Sequence, residues 1–407
     1  MYDVIVVGAR CAGSSTAMLL ARKGYRVLLV DKARFPSDTL STHYIHQPGI
    51  SRLKRWGLLE EVVNSNCTPV RNLTVDLGPF VLTGSAPPLD GVDAGYAPRR
   101  TILDQILVNA AISAGAEFRE RFSVQELLMD GERVVGVRGR TDSGDEVDEK
   151  ATLVVGADGL RSVVARGVDA PTYNVHPTLT CAYYTYWSDV PIDGATLYPR
   201  PGNLTIAFPT NDDLVLTIVF WPNAEFHQVR SNTEENFMRS IDLAPSLSER
   251  IRAGRRAERF RGTADLRNQF RRSHGEGWAL VGDAAYHKDP NTAQGISDAF
   301  LGAELLSDAV DDALSGRVET QTALATYEET RNRMVMPMYE LTCEFAALQP
   351  PAPQQQALFA ALSNDEEGRR GLFGALTGTV PIPQFFSPEN IGGIMQRAGM
   401  VPQSMAH

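Results

Sequence analysis

The pattern of apolar and polar positions at the start of the chain predicts a strand–helix–strand unit. Residues 3–7, DVIVV, form a β-branched run typical of a strand that is buried on both faces. Residues 14–23 then place apolar side chains along one helical face, and Gly24 ends that helix. RVLLVD at 26–31 returns to the strand pattern, so the stretch has the order and length of a βαβ unit.

Two later apolar runs end in a similar way. TLVVGADG at 152–159 and WALVGDAA at 278–285 are buried-strand patterns that close on an aspartate, Asp158 and Asp283, among small residues. Small residues let a ligand approach the backbone closely. A helical pattern begins at about Gly295, and its N-terminal dipole would stabilise negative charge there. Three strand ends are therefore expected to converge on one binding site.

The first turn has the chemistry of a dinucleotide site, with one departure. Gly8 allows the tight turn, and Gly13 lets the helix pack close to the strand. The free N–H groups at the helix start face a pyrophosphate, and Asp31 can accept hydrogen bonds from a ribose hydroxyl. Arg10 stands where such turns usually carry a second glycine. Its side chain is expected either to point away or to reach over the pyrophosphate as a cation.

Composition narrows the expected partners and location. A net charge of −10 argues against a nucleic-acid surface. No apolar run approaches the roughly 20 residues of a membrane span, and no basic flank precedes the first apolar run, so neither a span nor a signal peptide is expected. The four cysteines lie far apart in no metal-binding spacing, which indicates reduced thiols in a cytoplasmic protein without a metal site.

The glycine turn, GADG and GDAAYHKDP–QG, in this order and at these distances, resemble the flavoprotein monooxygenases of the para-hydroxybenzoate hydroxylase type. The same superfamily includes geranylgeranyl reductases and flavin-dependent halogenases. The resemblance implies FAD as the bound cofactor and NAD(P)H as a transient reductant, which visits the flavin without a domain of its own. It is a likeness to the superfamily and not to one protein.

The resemblance also implies a role for each group of residues. The first turn holds the FAD pyrophosphate, the end of the second strand holds the adenosine ribose, and a valine after a later strand touches adenine. An arginine that opens an R-x-x-L-x-x-x-L helix contacts the flavin side, and the two later aspartates support the FAD site and the ribityl chain. Pro290 lies near the reactive edge of the ring, with Gly295 and Ile296 near N1 and O2. The implied cofactor-binding residues are Gly8, Cys11, Ala12, Gly13, Asp31, Lys32, Arg100, Val124, Asp158, Asp283, Pro290, Gly295 and Ile296.

The expected fold is α/β, with a Rossmann-like three-layer FAD-binding domain of the glutathione-reductase type, an inserted β-sheet substrate domain and a C-terminal helical region. The FAD-binding domain is discontinuous at 1–75, 98–178 and 262–340, the substrate domain takes 76–97 and 179–261, and the helical region takes 341–407. Short β-rich runs split by Pro-Gly and Asn-Asp turns fill the second insert. Its aromatic residues either pack the sheet or line a substrate pocket.

The implied activity is hydroxylation of an aromatic or other electron-rich small molecule, driven by NAD(P)H through a flavin C4a-hydroperoxide. His287 lies in the loop before Pro290, where an imidazole could relay protons, or could serve as a structural hydrogen-bonding group. His43 follows the second strand at a spacing that, in the family, brings the chain against the ring. Both are candidate catalytic residues.

Other activities stay open at this point. A geranylgeranyl-type reductase would use the same FAD motifs with a long apolar substrate. A halogenase would need a tryptophan-rich segment and a lysine facing the flavin, and YTYWSDVPI at 184–192 offers one tryptophan. A non-catalytic flavin carrier is a further alternative. The sequence leaves open whether copies of the chain form a homo-oligomer.

Overall fold

Three β-sheets organise residues 1–400, the part of the chain that the computed structural model describes. The strands are β1 Tyr2–Val7, β2 Val27–Val30, β3 Leu73–Asp76, β4 Val81–Gly84, β5 Glu117–Arg119, β6 Ser123–Asp130, β7 Arg133–Arg140, β8 Glu146–Gly156, β9 Thr172–His176, β10 Thr180–Ser188, β11 Ala195–Arg200, β12 Asn203–Pro209, β13 Val215–Pro222, β14 Arg255–Arg256, β15 Arg261–Thr263, β16 Asn268–Arg271, β17 His274–Gly275, β18 Trp278–Leu280 and β19 Tyr286–His287. The helices are α1 Cys11–Arg22, α2 Gln47–Trp56, α3 Leu59–Val63, α4 Arg100–Ser113, α5 Val163–Gly167, α6 Phe226–Ser231, α7 Thr233–Ile241, α8 Pro245–Ala253, α9 Gly295–Leu314, α10 Thr320–Ala346, α11 Pro353–Leu362, α12 Glu366–Thr377, α13 Ile382–Phe385 and α14 Pro388–Arg397.

The first sheet brings distant strand ends to one edge. Its parallel part has the order β18–β8–β1–β2–β5. Val7, the last residue of β1, pairs with Val30 on one side and Gly156 on the other. Leu280 of β18 pairs with Gly156, so a fourth strand ends at the same edge. Because carboxyl ends of parallel strands share an edge, residues that follow these strands meet there.

Alternating side chains of the first sheet face two different layers. Val4 and Val6 of β1 belong to the apolar cluster built with α1, α4 and α9. Ile5 and Val7 point the other way, into a cluster that includes Val137 of the β6–β7–β8 antiparallel strands. A run without polar residues is therefore buried on both faces, as the sequence predicted. The three layers confirm the α/β fold.

The second sheet has the order β14–β10–β13–β12–β11–β3–β4, with β15 also paired to β10. Its strands are antiparallel except where β3 runs parallel to β11. Tyr184 and Tyr186 of β10 lie on one face, and Cys181 and Trp187 lie on the other, against α7 and α8. β3 begins at Leu73, before the boundary expected at 76.

The C-terminal helices cover the Tyr184 face of the second sheet. Leu362, Phe373 and Phe385 share one apolar cluster with Phe208 and Leu82 of that sheet. This burial stabilises the helices, each of which is too short to be stable alone in water. Within residues 1–400, no helix combines the length and apolar character needed to cross a membrane. The segment 401–407 of the expected helical region lies outside the described residues.

Candidate functional site

A cleft of about 570 Å³ opens at the shared edge of the first sheet and reaches the second sheet. It is lined by the residues expected to bind the cofactor: Gly8, Cys11, Ala12, Asp31, Lys32, Arg100, Val124, Asp158, Asp283, Pro290, Gly295 and Ile296. Gly13 does not line the cleft and lies under the turn, in α1. The structure therefore brings these residues together around one cavity.

The first turn is a cradle of backbone atoms that leaves no room for side chains at its two glycines. Gly8 has φ +102°, and a Cβ there would lie 2.5 Å from the carbonyl oxygen of Ala157. A Cβ on Gly13 would lie 1.7 Å from the carbonyl oxygen of Gly8. Helix α1 begins at Cys11 without a side-chain cap, so its first N–H groups are available to an anion.

Asp31 is fixed at the end of β2 by the backbone. Its Oδ2 accepts a hydrogen bond from the N–H of Ala9 at 2.7 Å, and its Oδ1 accepts one from Ala33 at 2.8 Å. Each carboxylate oxygen can accept more than one hydrogen bond. The carboxylate is thus oriented toward the cleft with acceptor capacity left for ligand hydroxyl groups.

Asp104, which sequence reasoning missed, joins two arginines beneath the turn. The Nη1 of Arg10 lies 2.6 Å from Oδ2 of Asp104, and the Nη2 of Arg100 lies 2.9 Å from Oδ1. The Asp104 side chain is fully buried. Cys11 donates to the same carboxylate, and burial raises the pKa of its thiol to about 12. Two guanidinium groups on one carboxylate leave one net positive charge at the N-terminus of α1. The sequence signal for the Arg100–Asp104 ion pair was the spacing Arg100-x-x-x-Asp104, which places the two side chains on one helical face.

Asp158 carries an unused acceptor at the cleft. Its Oδ2 accepts a hydrogen bond from the N–H of Val163 at 2.6 Å. Its Oδ1 is buried and has no hydrogen-bond partner within the described chain. Burial raises the pKa of this carboxyl group above its usual value. An unsatisfied buried oxygen at a cavity wall favours a ligand that brings a hydroxyl or N–H donor.

At the start of α9, the structure adds a buried ion pair that the sequence analysis did not assign. The Nζ of Lys288 contacts both the carboxylate of Asp298 and the hydroxyl of Tyr286. All three residues line the cleft near Pro290 and Gly295. His287 also lines the cleft, and its Nδ1 contacts the carbonyl oxygen of Arg267, which fixes the ring orientation.

His43 is buried behind the cleft wall rather than on it. It has φ +61° and contacts the hydroxyl of Tyr186 through Nε2, while its Nδ1 is buried without a partner in residues 1–400. Burial holds the pKa of His43 well below its usual value, and Arg100, Arg99 and Arg261 lower it further. The imidazole is therefore neutral at physiological pH.

Tyr184 separates His43 from the cleft. The two rings meet edge to face, with centroids 6.2 Å apart, and Tyr184 lines the cleft. Its hydroxyl is buried and has no partner among the described residues. The alternation of residues 182–186 along a strand was the sequence signal that would have placed Tyr184 and Tyr186 on one face.

Residues 1–400 contain no group of three or more histidine, cysteine or acidic side chains arranged to hold a metal ion. The chemistry of the donor groups is instead that of a dinucleotide site, with a glycine cradle, a cationic cluster and an oriented carboxylate.

Comparisons with known proteins identify the class and the cofactor. The chain belongs to the FAD binding domain family FAD_binding_3, whose model matches residues 1–342. A digeranylgeranylglycerophospholipid reductase of Methanosarcina acetivorans is 27% identical over 347 residues, which cover 81% of this chain and 80% of that protein. The protein is therefore an FAD-dependent oxidoreductase, and the glycine cradle and the free Asp158 oxygen fit that cofactor.

Solved structures share the fold over nearly the whole chain. The myxobacterial chondrochloren halogenase CndH matches with a TM-score of 0.79 and 23% identity, covering 98% of this chain and 96% of that one. The probable FAD-dependent monooxygenase pqsL of Pseudomonas aeruginosa matches with a TM-score of 0.70 and 21% identity, covering 93% of this chain and 99% of that one.

Proposed function

We propose that this protein is an NAD(P)H-driven monooxygenase that hydroxylates a small aromatic or other electron-rich molecule. The observation that carries the proposal is Tyr184, whose side chain lines the same cleft as the FAD-binding residues and whose buried hydroxyl has no hydrogen-bond partner within residues 1–400. A donor without a partner costs free energy in the folded protein unless a ligand satisfies it. A phenol or aromatic amine can supply that hydrogen bond.

Bound FAD supplies the redox chemistry, since it can take a hydride from NAD(P)H and support oxygen transfer from dioxygen. The overall reaction consumes substrate, dioxygen, NAD(P)H and one proton. It yields hydroxylated substrate, water and NAD(P)⁺. The side chains of this protein must therefore bind the substrate, exclude water and hold protons.

The residues at the second-sheet end of the cleft suit a small substrate. Ala182, Ile218 and Leu266 provide apolar surface beside Tyr184. Ser41, Thr42 and Thr263 add short polar groups on the same cavity. Pockets of this kind, mainly apolar with a few oriented polar groups, bind and orient small molecules.

Tyr184 is proposed to contact the substrate, and Tyr186 and His43 are proposed to hold the Tyr184 side chain in position. The rings of Tyr184 and Tyr186 pack edge to face with centroids 5.8 Å apart. Burial raises the pKa of the Tyr184 hydroxyl, so the hydroxyl is protonated and can donate. Behind it, the His43 ring stays neutral and contacts the Tyr186 hydroxyl through Nε2, so its proposed role is to orient the tyrosines. His287 is proposed as the group that could exchange protons at the flavin end of the cleft.

The cofactor residues keep the roles that the resemblance implies. We propose that the first turn holds the pyrophosphate and that Asp31 holds the adenosine ribose, with Lys32 beside it. Val124 is proposed to contact adenine, and Arg100 is proposed to contact the flavin side. Asp158 would support the FAD site and Asp283 would bind the ribityl chain, with Pro290 near the reactive edge of the ring and Gly295 and Ile296 near N1 and O2. Their common position on one cavity supports this assignment.

The test is oxygen incorporation by the purified holoprotein. Phenols and aminobenzoates are screened for faster NADH and NADPH oxidation in air, and hits are repeated under ¹⁸O₂. We expect one labelled oxygen atom in the product, with one NAD(P)H consumed for each product formed. Substrate-independent NAD(P)H oxidation across the screen, or products without the label, would contradict the proposal.

A second candidate is reduction of prenyl double bonds. It is favoured by the reductase relatives and by a second cavity of about 450 Å³, on the far side of the first turn of α9. Leu301, Met334, Met338 and Ile382 give that cavity apolar walls. An anaerobic experiment separates the two functions, because only a prenyl reductase would reoxidise dithionite-reduced FAD with a polyprenyl lipid in the absence of dioxygen.

A further inference from the structure

Arg10 connects the cofactor turn to another wall of the cleft. Besides Asp104, its guanidinium donates to the carbonyl oxygens of Ser37 and Asp38, at 3.3 and 3.4 Å, and to the hydroxyl of Ser37 at 3.1 Å. Its guanidinium carbon lies 5.7 Å from the ring centre of Phe35. Residues 37–42 are called the wall loop here, because Thr39 to Thr42 line the cleft.

The wall loop is in turn tied to the second sheet. The carboxylate of Asp38 lies 2.7 Å from Nη1 of Arg261 and 3.7 Å from Nη2 of Arg99. The guanidinium of Arg99 packs 4.1 Å from the ring centre of Tyr186. A continuous set of polar contacts therefore runs from the pyrophosphate turn, through Arg10 and the wall loop, to the tyrosines of the proposed substrate end.

We propose that Arg10 is a cofactor-retaining residue that couples FAD binding to the ordering of the wall loop. Two features support it. The cluster of Arg10, Arg100 and the buried Asp104 keeps one net positive charge, which a phosphate anion would neutralise. The Arg10 guanidinium also donates three hydrogen bonds to the wall loop, so the position of the first turn and the position of the wall loop depend on each other.

This role explains why the position is not glycine. A glycine would let the backbone approach the pyrophosphate, as in the usual turn, yet it would remove the three hydrogen bonds that Arg10 donates to the wall loop. With arginine at this position, the backbone approaches the pyrophosphate less closely, but the side chain adds a planar group with hydrogen-bond donors in several directions. The inference rests on FAD binding alone, and it holds whichever substrate the protein uses.

The experiment compares Arg10→Gly, which restores the usual residue, with Arg10→Lys and the wild type. The first readout is the rate at which FAD leaves the diluted full-length holoprotein, followed by the rise of flavin fluorescence. The second is hydrogen exchange of the wall-loop amides in the same holoprotein. Arg26→Ala is the control, because Arg26 lies in the same βαβ unit but pairs with Asp3 on the exposed surface.

We expect Arg10→Gly to release FAD about tenfold faster or more and to lose exchange protection in residues 37–42. Arg10→Lys should release FAD at a rate between those of Arg10→Gly and the wild type, since lysine keeps the charge but lacks the planar guanidinium. Release by Arg10→Gly at the wild-type rate or slower would overturn the retention role. Faster release with unchanged wall-loop exchange would overturn the coupling. If Arg10→Gly does not fold, Arg10→Gln gives the same comparison without the charge.

Discussion

The hydroxyl of Tyr186, a residue of the second sheet, contacts Nε2 of His43, and both residues are buried. Neither side chain lines the cleft, whereas Tyr184 packs against both rings and does. The contact therefore fixes Tyr184 from behind. Substitutions on this face of β10 should therefore weaken substrate binding more than they weaken FAD binding.

Tyr184→Phe should affect substrate binding and leave FAD in place. Loss of one buried donor to a bound ligand corresponds to about tenfold to hundredfold weaker binding. We expect KM for the substrate to rise by that factor, with more of the NAD(P)H consumed yielding hydrogen peroxide instead of product. Tyr183→Phe is the matched control, because its side chain faces Trp221 and Phe226 on the other side of the sheet. Equal effects of the two substitutions would contradict the assignment.

Asp104→Asn should destabilise the whole FAD-binding half. The buried Arg100 would lose its carboxylate partner, and breaking a buried pair in this way costs about 3–5 kcal/mol of unfolding free energy. Chemical denaturation of the holoprotein measures the change. Asp148→Asn removes an exposed partner of Arg138 and serves as the control. A loss in Asp104→Asn no greater than in the control would show that the two arginines do not depend on Asp104.

Gly13→Ala should prevent FAD retention. The new methyl group would meet the carbonyl oxygen of Gly8, a backbone atom of the turn itself, so the turn would have to open. We expect a destabilisation of about 3 kcal/mol and a largely colourless preparation. In contrast, Gly392→Ala in α14 meets nothing within 4 Å and should stabilise the protein by up to about 1 kcal/mol. Thermal unfolding and the flavin absorbance of both variants test the pair; a yellow, stable Gly13→Ala would exclude the close packing described.

The stability of the protein should fall in mildly acidic solution because of His46. Burial lowers the pKa of His46 to about 4, while an unfolded histidine titrates near 6.5, so the unfolded state binds more protons between these values. The contribution is fully present above about pH 6.5 and is lost as the pH falls toward 4, a change of about 3 kcal/mol.

The measurement is the unfolding free energy as a function of pH for His46→Gln and the wild type. Glutamine can still donate to the carbonyl oxygen of Thr292, which Nε2 of His46 contacts at 3.0 Å. We expect a flatter profile between pH 4 and 6.5 in the variant. His227→Gln, at an exposed position on α6, controls for the loss of one histidine. Parallel profiles for His46→Gln and wild type would show that His46 titrates normally.

Local chemistry explains which parts of the site the sequence predicts. Gly8 and Asp31 directly follow apolar strands, and Asp158 lies two residues beyond the end of β8, so their place at the sheet edge follows from strand direction alone. The residues that were missed, Asp104 and Tyr186, depend on distant pairing, since Arg10 reaches Asp104 across 94 positions and His43 reaches Tyr186 across 143. Asp104 cannot be chosen without the packing of α4 against the first turn, and Tyr186 cannot be chosen without the packing of the second sheet. His43 was singled out by its spacing, whereas its burial behind Tyr184 depends on the register of β10.

The parallel pairing of β3 with β11 has a consequence for how such proteins diversify. The segment that supplies β3 and β4 lies, in sequence, between two segments that build the FAD-binding part of the protein. No single division of the chain therefore separates the second sheet from the FAD-binding residues. A chimera of two such proteins with a junction between residues 84 and 180 would pair β3 of one parent with β11 of the other. Exchange of individual side chains on the existing strands leaves this pairing intact, so it is the expected route to new substrate preferences, and such chimeras should be less stable to heat than either parent.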